Sequence, residues 1–527
     1  MNPEEIKKKQ KRVMIYVMII SLICVVGVSY AFFTAGMSSE TSTTVRADAG
    51  TMKITYDGGA NINLAGIYPK DDVWATKTIT VTGNNTTDAE MYYKLTLVVD
   101  SNTFKTDDPL QYELVSTNTS TNGEIIPNIS KKDITGTSIE LGNGHFVKAN
   151  NAKHTYLLKI YYPKKTTSQN ANQGAAFSAH VEITSAKAPK TNGKLSELVL
   201  YNNEVKTPIT APGKEVSTAS EALLASTPDD YGTSYYFRGA VTNNYVQFAN
   251  KCWRIVRVGG DGSVKLILHN DNTAKAANPC NSANNSITAA FARYSGTTYT
   301  SAFNTNTDDN AYVGFKYGTP GSNKYETTHA NTNNSTILTN LETWYNNNLK
   351  TYESVIDDNV WCNDKTNVTD TTYKPLWADV NGLGLGYGKN VTYYGATKRL
   401  VSTSDSAGGT SPSLKCNGDL SKINSKVGLI TADELAFAGY AYNIRNTVTY
   451  LKENTSGEWW SLSPSDYISI YANVWTVESY GTYFTTGLGG RGGRGVHDSC
   501  GVRPLISLKS TTNVTGNGSS DKPYKVV

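Results

Sequence analysis

The chain has 527 residues, of which 39% are hydrophobic and 18% charged, and its formal net charge is +4. That length holds two or three domains with cores of their own. Residues 1–12 carry five basic and two acidic side chains, so they supply +3 and the remaining chain only +1, which excludes a polybasic nucleic-acid-binding face. Charged residues fall below the usual quarter. Polarity comes instead from Asn, Thr and Ser, beside 34 Tyr. This profile suits extracellular β-rich modules rather than cytosolic helical enzymes.

Lys7, Lys8, Lys9, Lys11 and Arg12 precede a run from Val13 to Phe33 without one charge. About 20 apolar residues span a bilayer, and basic flanks stay on the cytoplasmic side. The rest of the chain is therefore expected outside the membrane. Two readings of the run stand side by side. One is a retained transmembrane anchor that leaves extracellular domains at the cell membrane. The other is a signal peptide cut between Ala31 and Phe32, after the small residues Ser29 and Ala31, with release to the cell surface.

Cys24 lies inside the apolar run, and the other five cysteines are Cys252, Cys280, Cys362, Cys416 and Cys500. None has CxxC spacing and only six His are present, so neither a zinc site nor any other metal or cofactor is expected. Disulfides fit an exterior location better. Pairing nearest in sequence gives Cys252–Cys280 and Cys362–Cys416, with Cys500 left over or replacing either partner of the first pair.

From about Thr51 to Thr184 the hydrophobic pattern has period two. Tyr93, Leu95, Leu97 and Val99 share a face, as do Tyr156, Leu158, Ile160 and Tyr162, and then Phe177, Ala179, Val181 and Ile183. Such alternation marks half-buried strands. Gly83-Asn84-Asn85, Thr121-Asn122-Gly123 and Gly142-Asn143-Gly144 read as turns between them. The expected architecture is an all-β antiparallel sandwich over residues 34–186.

Within it, SYAFFTAG, TTVRADAGTMKITY and LAGIYPKDD carry a resemblance. Ala49-Gly50-Thr51-Met52 and Tyr68-Pro69-Lys70-Asp71 stand where the TasA/camelysin family has its "aGtl" strand and "lkPGD" turn, with Lys70 in place of the turn Gly. Over about residues 20–186 the chain resembles that family of secreted or surface biofilm-matrix proteins. The resemblance implies a jelly-roll-like sandwich and a capacity for self-assembly, since members polymerise by passing an N-terminal strand to a neighbour. Residues Phe32 to Val45 would be that strand after cleavage, and only a stalk if the anchor is retained. Some members are called proteases, but no HExxH is present here to carry that activity.

Residues 187–230 hold Pro, Gly, Lys and Thr and read as a linker, interrupted by a short helical stretch at Ser220-Glu221-Ala222-Leu223-Leu224. A second domain is expected over 231–527. Gly259-Gly260-Asp261-Gly262 separates two alternating runs as in a hairpin. Ile337, Leu338, Leu341, Trp344, Tyr345 and Leu349 form a helical stripe behind a Ser335 cap. Thr431-Ala432-Asp433-Glu434 is a capping box stopped by Gly439. Strand pattern returns at Val502 to Leu508. The phrases YYFRGAVTNNYVQFANKCWRIVRV, GLITADELAFAG, EWWSLSPS and CGVRPLISLK resemble an uncharacterised domain of bacterial surface proteins. Their "WW…SP…GVRP" ending is similar to the compact α+β fold shared by C-type lectins and formylglycine-generating-enzyme-like proteins, which implies an α+β lectin-like domain.

Candidate ligand-binding residues are Trp459 and Trp460, whose rings stack on sugars when one of them is exposed. With them stand Arg491, Arg494 and Arg503 around GLGGRGGRG, whose backbone N–H groups suit an anion. No Gly-Lys-Ser/Thr ending, G-x-S-x-G elbow or DxDxDG loop is present. His497, Asp498 and Cys500 lie too close along one loop for an attacking geometry. The expected function is that of a Gram-positive-type cell-surface or matrix protein, adhesive or ligand-binding and not an enzyme. Its expected partners are the membrane, a glycan or a host or cell-surface protein. Two alternatives stand: a fibre subunit joined by strand donation, and an extracellular hydrolase of wall or host glycan built on Glu434 and Glu458.

Overall fold

The computed structural model describes residues 43–48, 51–86, 90–118, 122–185, 190–370, 372–373, 391–468, 470–478, 483–485 and 495–527. The basic tail, the apolar run, the Ala31–Phe32 cleavage point, Arg491 and Arg494 lie outside them. Among the described residues, no helix is long and apolar enough to cross a membrane. They are predominantly β, with sheets that are antiparallel at nearly every pairing. The chain divides into two compact units, residues 1–188 and 189–527.

The first unit is a two-sheet sandwich. Its strands are β1 (Thr43–Asp48), β2 (Thr51–Asp57), β3 (Ile62–Ala65), β4 (Lys70–Asn85), β5 (Met91–Asn102), β6 (Gln111–Ser116), β7 (Ile129–Asp133), β8 (Ser138–Phe146), β9 (Ala149–Tyr162) and β10 (Ala176–Ser185). One sheet runs β1-β2-β4-β9-β6-β7 and the other β3-β10-β5-β8. Their alternating apolar faces close on one core, with Leu95, Leu97, Leu158, Ile160, Phe177 and Val181 all buried. Each such side chain contributes roughly 1.5–3 kcal/mol on burial. The sheets are also joined by polar groups. Tyr93 on β5 places its hydroxyl 2.6 Å from His154 Nδ1 and 2.6 Å from the Tyr156 hydroxyl, both on β9. Tyr156 in turn accepts from the Ile126 amide at 3.0 Å, so no polar tip in this trio is stranded.

Two of the expected turns are strand instead. Gly83 lies inside β4, and Gly142 and Gly144 lie inside β8. The reason is close approach rather than chain reversal. A Cβ at Gly83 would stand 2.4 Å from the Phe146 ring, and one at Gly144 would stand 2.5 Å from the Tyr93 hydroxyl oxygen. Gly142 has φ +129° beside a register shift between β5 and β8, the signature of a glycine at a bulge.

The second unit begins earlier than expected, and the stretch read as a linker is part of its fold. Asn192–Lys194 is a strand paired with Asn513–Thr515. Leu195–Asn202 is a helix that buries Leu195, Leu198 and Val199 in the main core. The expected helical stretch at Ser220–Leu224 is instead a turn followed from Ala222 by strand Ala222–Pro228, paired with Thr233–Gly239. Its Leu223, Leu224 and Ala225 are buried, and tertiary pairing overrides local helix propensity there.

This unit holds a nine-stranded sheet centred on Lys251–Val258 and Val264–Asn270, which form the expected hairpin, and a six-stranded sheet centred on Trp459–Ile468. Its helices are short. Thr336–Asn348 is capped by Ser335, whose Oγ accepts from the Leu338 amide, and buries the expected stripe. Gly395–Leu400 and Ala432–Ala438 flank the cleft described next. Two disulfides are formed, Cys252–Cys280 and Cys362–Cys416, and Cys500 is buried outside both.

Candidate functional site: a charged cleft in the second unit

A cleft lies among the hairpin, helix Ala432–Ala438, strand Asn359–Cys362 and the 413–416 loop. Its floor begins with hairpin register. Arg257 and Lys265 are direct cross-strand partners, so two cations share one face, an arrangement that is repulsive by itself. Glu434 resolves it. The capping box holds this side chain in place: Thr431 Oγ1 accepts from the Glu434 amide at 3.1 Å, and Glu434 Oε2 accepts from the Thr431 amide at 3.0 Å. The other oxygen, Oε1, then receives Lys265 Nζ at 2.8 Å and Arg257 Nε at 3.0 Å.

Arg257 Nη1 also reaches Asp229 Oδ2 at 3.0 Å, and Lys265 lies 4.8 Å from the centre of the Trp361 ring. A second cluster adjoins the first. Arg399 grips both oxygens of Asp433 at 2.7 and 2.8 Å and donates to Asp364 Oδ2 at 2.8 Å. This two-pronged geometry is one that only a guanidinium provides. The 413–416 loop is fastened to the same groups. The Ser413 amide donates to Asp433 at 2.9 Å, the Cys416 amide to Asp230 at 3.1 Å, and the disulfide ties Cys416 to Cys362 on the facing strand.

The electrostatics follow from burial. Burial alone would raise the pKa of Glu434, but the charges of Lys265 and Arg257 outweigh it and hold the carboxyl down at about 2. Burial pulls the Lys265 ammonium down to about 8, against the opposing pull of Glu434. For Arg399 burial acts to lower the pKa, and Asp433 and Asp364 reverse the sign. The side chains of Asp229, Asp364, Asp433 and Glu434 are between 2% and 5% exposed, whereas Arg257 and Arg399 are 14% and 12% exposed. The carboxylates therefore stand behind and the guanidinium edges in front.

The residues singled out in the sequence lie elsewhere. Trp459 and Trp460 are both fully buried. Strand Trp459–Ile468 is covered on both faces, so alternation exposes neither ring. Trp460 packs edge-on against Phe303 and donates its Nε1 to Ser301 O at 2.7 Å. Trp459 has the Arg503 guanidinium 5.1 Å from its ring centre. Arg503 is itself buried and donates to the carbonyls of Leu268 and Leu451 at 2.9 and 2.6 Å. These three are core residues, a correction to their expected role in ligand binding.

Glu434 and Glu458 do not share the cleft. Glu458 is absent from its lining and instead stands 3.7 Å from Cys500 Sγ. His497 and Asp498 are 3.9 Å apart. The sequence did carry a signal for the cleft: Arg257 and Lys265 each stand between apolar neighbours in a strand (Val256 and Val258, Val264 and Leu266), and a cation in such a place needs a buried anion. No family model matches this chain, and no curated protein matches it.

Proposed function

We propose that this chain is a bacterial cell-surface or extracellular-matrix protein that binds rather than catalyses. In this reading the N-terminal run anchors or exports it, the first unit is a TasA-like sandwich, and the second unit is a lectin-like module that presents the charged cleft. The observation that carries it is the state of the cleft carboxylates. Each of Asp229, Asp364, Asp433 and Glu434 already accepts from a guanidinium, an ammonium or a backbone amide. A carboxylate fixed in this way positions its partners well and accepts a proton poorly. Two disulfides in the same unit suit an oxidising exterior.

The test uses the exported full-length protein and a rim variant, Lys415→Ala, whose side chain takes no part in the buried network. Both are applied to a panel of immobilised wall polymers, host glycans and matrix proteins. Retention on the panel that is lost in the folded rim variant supports the reading. Release of new reducing ends or peptides from the panel sinks it in favour of a hydrolase.

The fibre reading keeps one observation of its own. β1 is the outermost strand of the six-stranded sheet and pairs within its own chain through Asp48↔Thr51. It overlaps the end of the expected donor segment. Filaments seen by electron microscopy with a chain beginning near Phe32, and absent when residues 32–45 are deleted, would favour that reading.

A further inference from the structure

We propose that the cleft takes an uncharged, hydroxyl-rich ligand, a neutral sugar residue, with Tyr231 as its stacking face; this deepens the binding reading above and rests on it. Charge is the first argument. The floor holds three cations (Arg257, Lys265, Arg399) and four carboxylates (Asp229, Asp364, Asp433, Glu434), and the rim adds Lys415 and Asp230, so the sum is 4 − 5 = −1. An anion entering the cleft approaches guanidiniums but has four fixed carboxylates behind them. A cation approaching those carboxylates meets the guanidinium edges first. The layering, with 12–14% exposure in front against 2–5% behind, disfavours net charge of either sign. A polyol avoids both costs, because each hydroxyl donates and accepts.

Hydrogen-bonding capacity is the second argument. Among the described residues Arg257 is bonded through Nε and Nη1, and its Nη2 donors are left for a ligand in the cleft that Arg257 lines. Asp230 at the exposed rim has Oδ2 engaged by one amide and keeps acceptor capacity. The lip is the third argument. Tyr231 is 57% exposed, against 47% for Tyr471 and 40% for Tyr352 in the same unit.

Its backbone is fixed all the same. The Tyr231 amide donates to Asp229 Oδ1 at 2.8 Å and the Asp229 amide to Gly232 O at 2.8 Å. The turn also lies so close to the hairpin tip that a Cβ on Gly260 would come within 2.5 Å of the Gly232 nitrogen. An exposed aromatic carried on a fixed turn, beside bound donors and acceptors, suits the apolar face of a pyranose ring.

The test is equilibrium binding of the full-length protein to neutral, uronate-bearing and amino-sugar polysaccharides, for the native chain and for Tyr231→Ala and Tyr231→Phe. Expected is binding to a neutral polymer that weakens about tenfold in Tyr231→Ala, equivalent to about 1.4 kcal/mol, and survives in Tyr231→Phe. It should hold between low and high salt, because the ligand carries no charge to be screened. A salt-sensitive preference for acidic or cationic polymers overturns the inference. So does neutral-polymer binding that ignores Tyr231. If a peptide or protein from the panel binds in a Tyr231-dependent way and no sugar does, the binding reading stands and the sugar inference falls. If nothing binds, both fall.

Discussion

Asp466 and Glu434 show how one residue type takes opposite ionisation behaviour from its surroundings. Both are fully buried carboxyls in the second unit. Glu434 faces two cations and stays ionised, whereas Asp466 has only neutral donors. Ser465 Oγ bonds one oxygen and Asn473 Nδ2 bonds the other at 2.8 Å. Burial therefore wins at Asp466, and its pKa rises from 3.8 to about 7 despite those bonds. A carboxyl whose folded pKa is raised contributes stability that is fully present below about pH 4, the unfolded value. It is lost as pH rises to about 7, because the unfolded chain ionises first. The whole loss is on the order of 4 kcal/mol. Asp466→Asn is neutral at every pH; its carbonyl accepts from Asn473 and its amide donates to the Ser465 hydroxyl, which turns to accept, so it escapes this loss. Urea midpoints should match the native chain's near pH 4 and exceed them increasingly up to about pH 7, levelling off above. A constant difference between the two proteins across that range would contradict the assignment.

At the scale of elements, the legible parts of the sequence were those governed by local physics. Period-two faces in β5, β9 and β10, the Ser335 cap, the Thr431–Glu434 capping box and the hairpin at Gly259–Gly262 can each be read from residues a few positions apart. What was not legible depends on distant partners. Leu223 and Leu224 became strand because Thr233–Gly239 pairs with them. The stretch 190–230 joined the core because strands near residues 513–515 receive it. Trp459 and Trp460 are buried because a second layer covers the face that alternation assigned to solvent. Gly83 looked like punctuation and is a spacer: its missing side chain lets β4 cross over Phe146, whose ring also stacks on His154 at 4.1 Å. Gly83→Ala should therefore destabilise the sandwich by roughly 1–3 kcal/mol, the usual cost of overpacking. If the position were a solvent turn without positive φ, the same change would be neutral or mildly stabilising. The sign of the change in a denaturation midpoint decides between them.

At the scale of the whole molecule, covalent reinforcement is segregated. Residues 33–251 contain no cysteine, and both disulfides fall in residues 189–527. The first unit relies on two complementary apolar sheet faces and the Tyr93–His154–Tyr156 latch. The second packs two sheets and its buried ion clusters around one core, with loops of 28 and 54 residues' separation closed by sulfur. In the chain-entropy model each closure contributes about 4 kcal/mol, and Cys362–Cys416 also fastens one wall of the cleft. Reduction should therefore separate the units thermally. In a calorimetric scan of the full chain, a thiol reductant should lower the transition of the second unit by several degrees and leave that of the sandwich in place. Hydrogen exchange read by peptide assigns each transition: amides at 413–416 should lose protection on reduction while those of β5 and β9 keep theirs. If both transitions moved together, the two units would be one cooperative system with no division of labour between them. If neither moved, the entropy of the closed loops would be the part of the account to abandon.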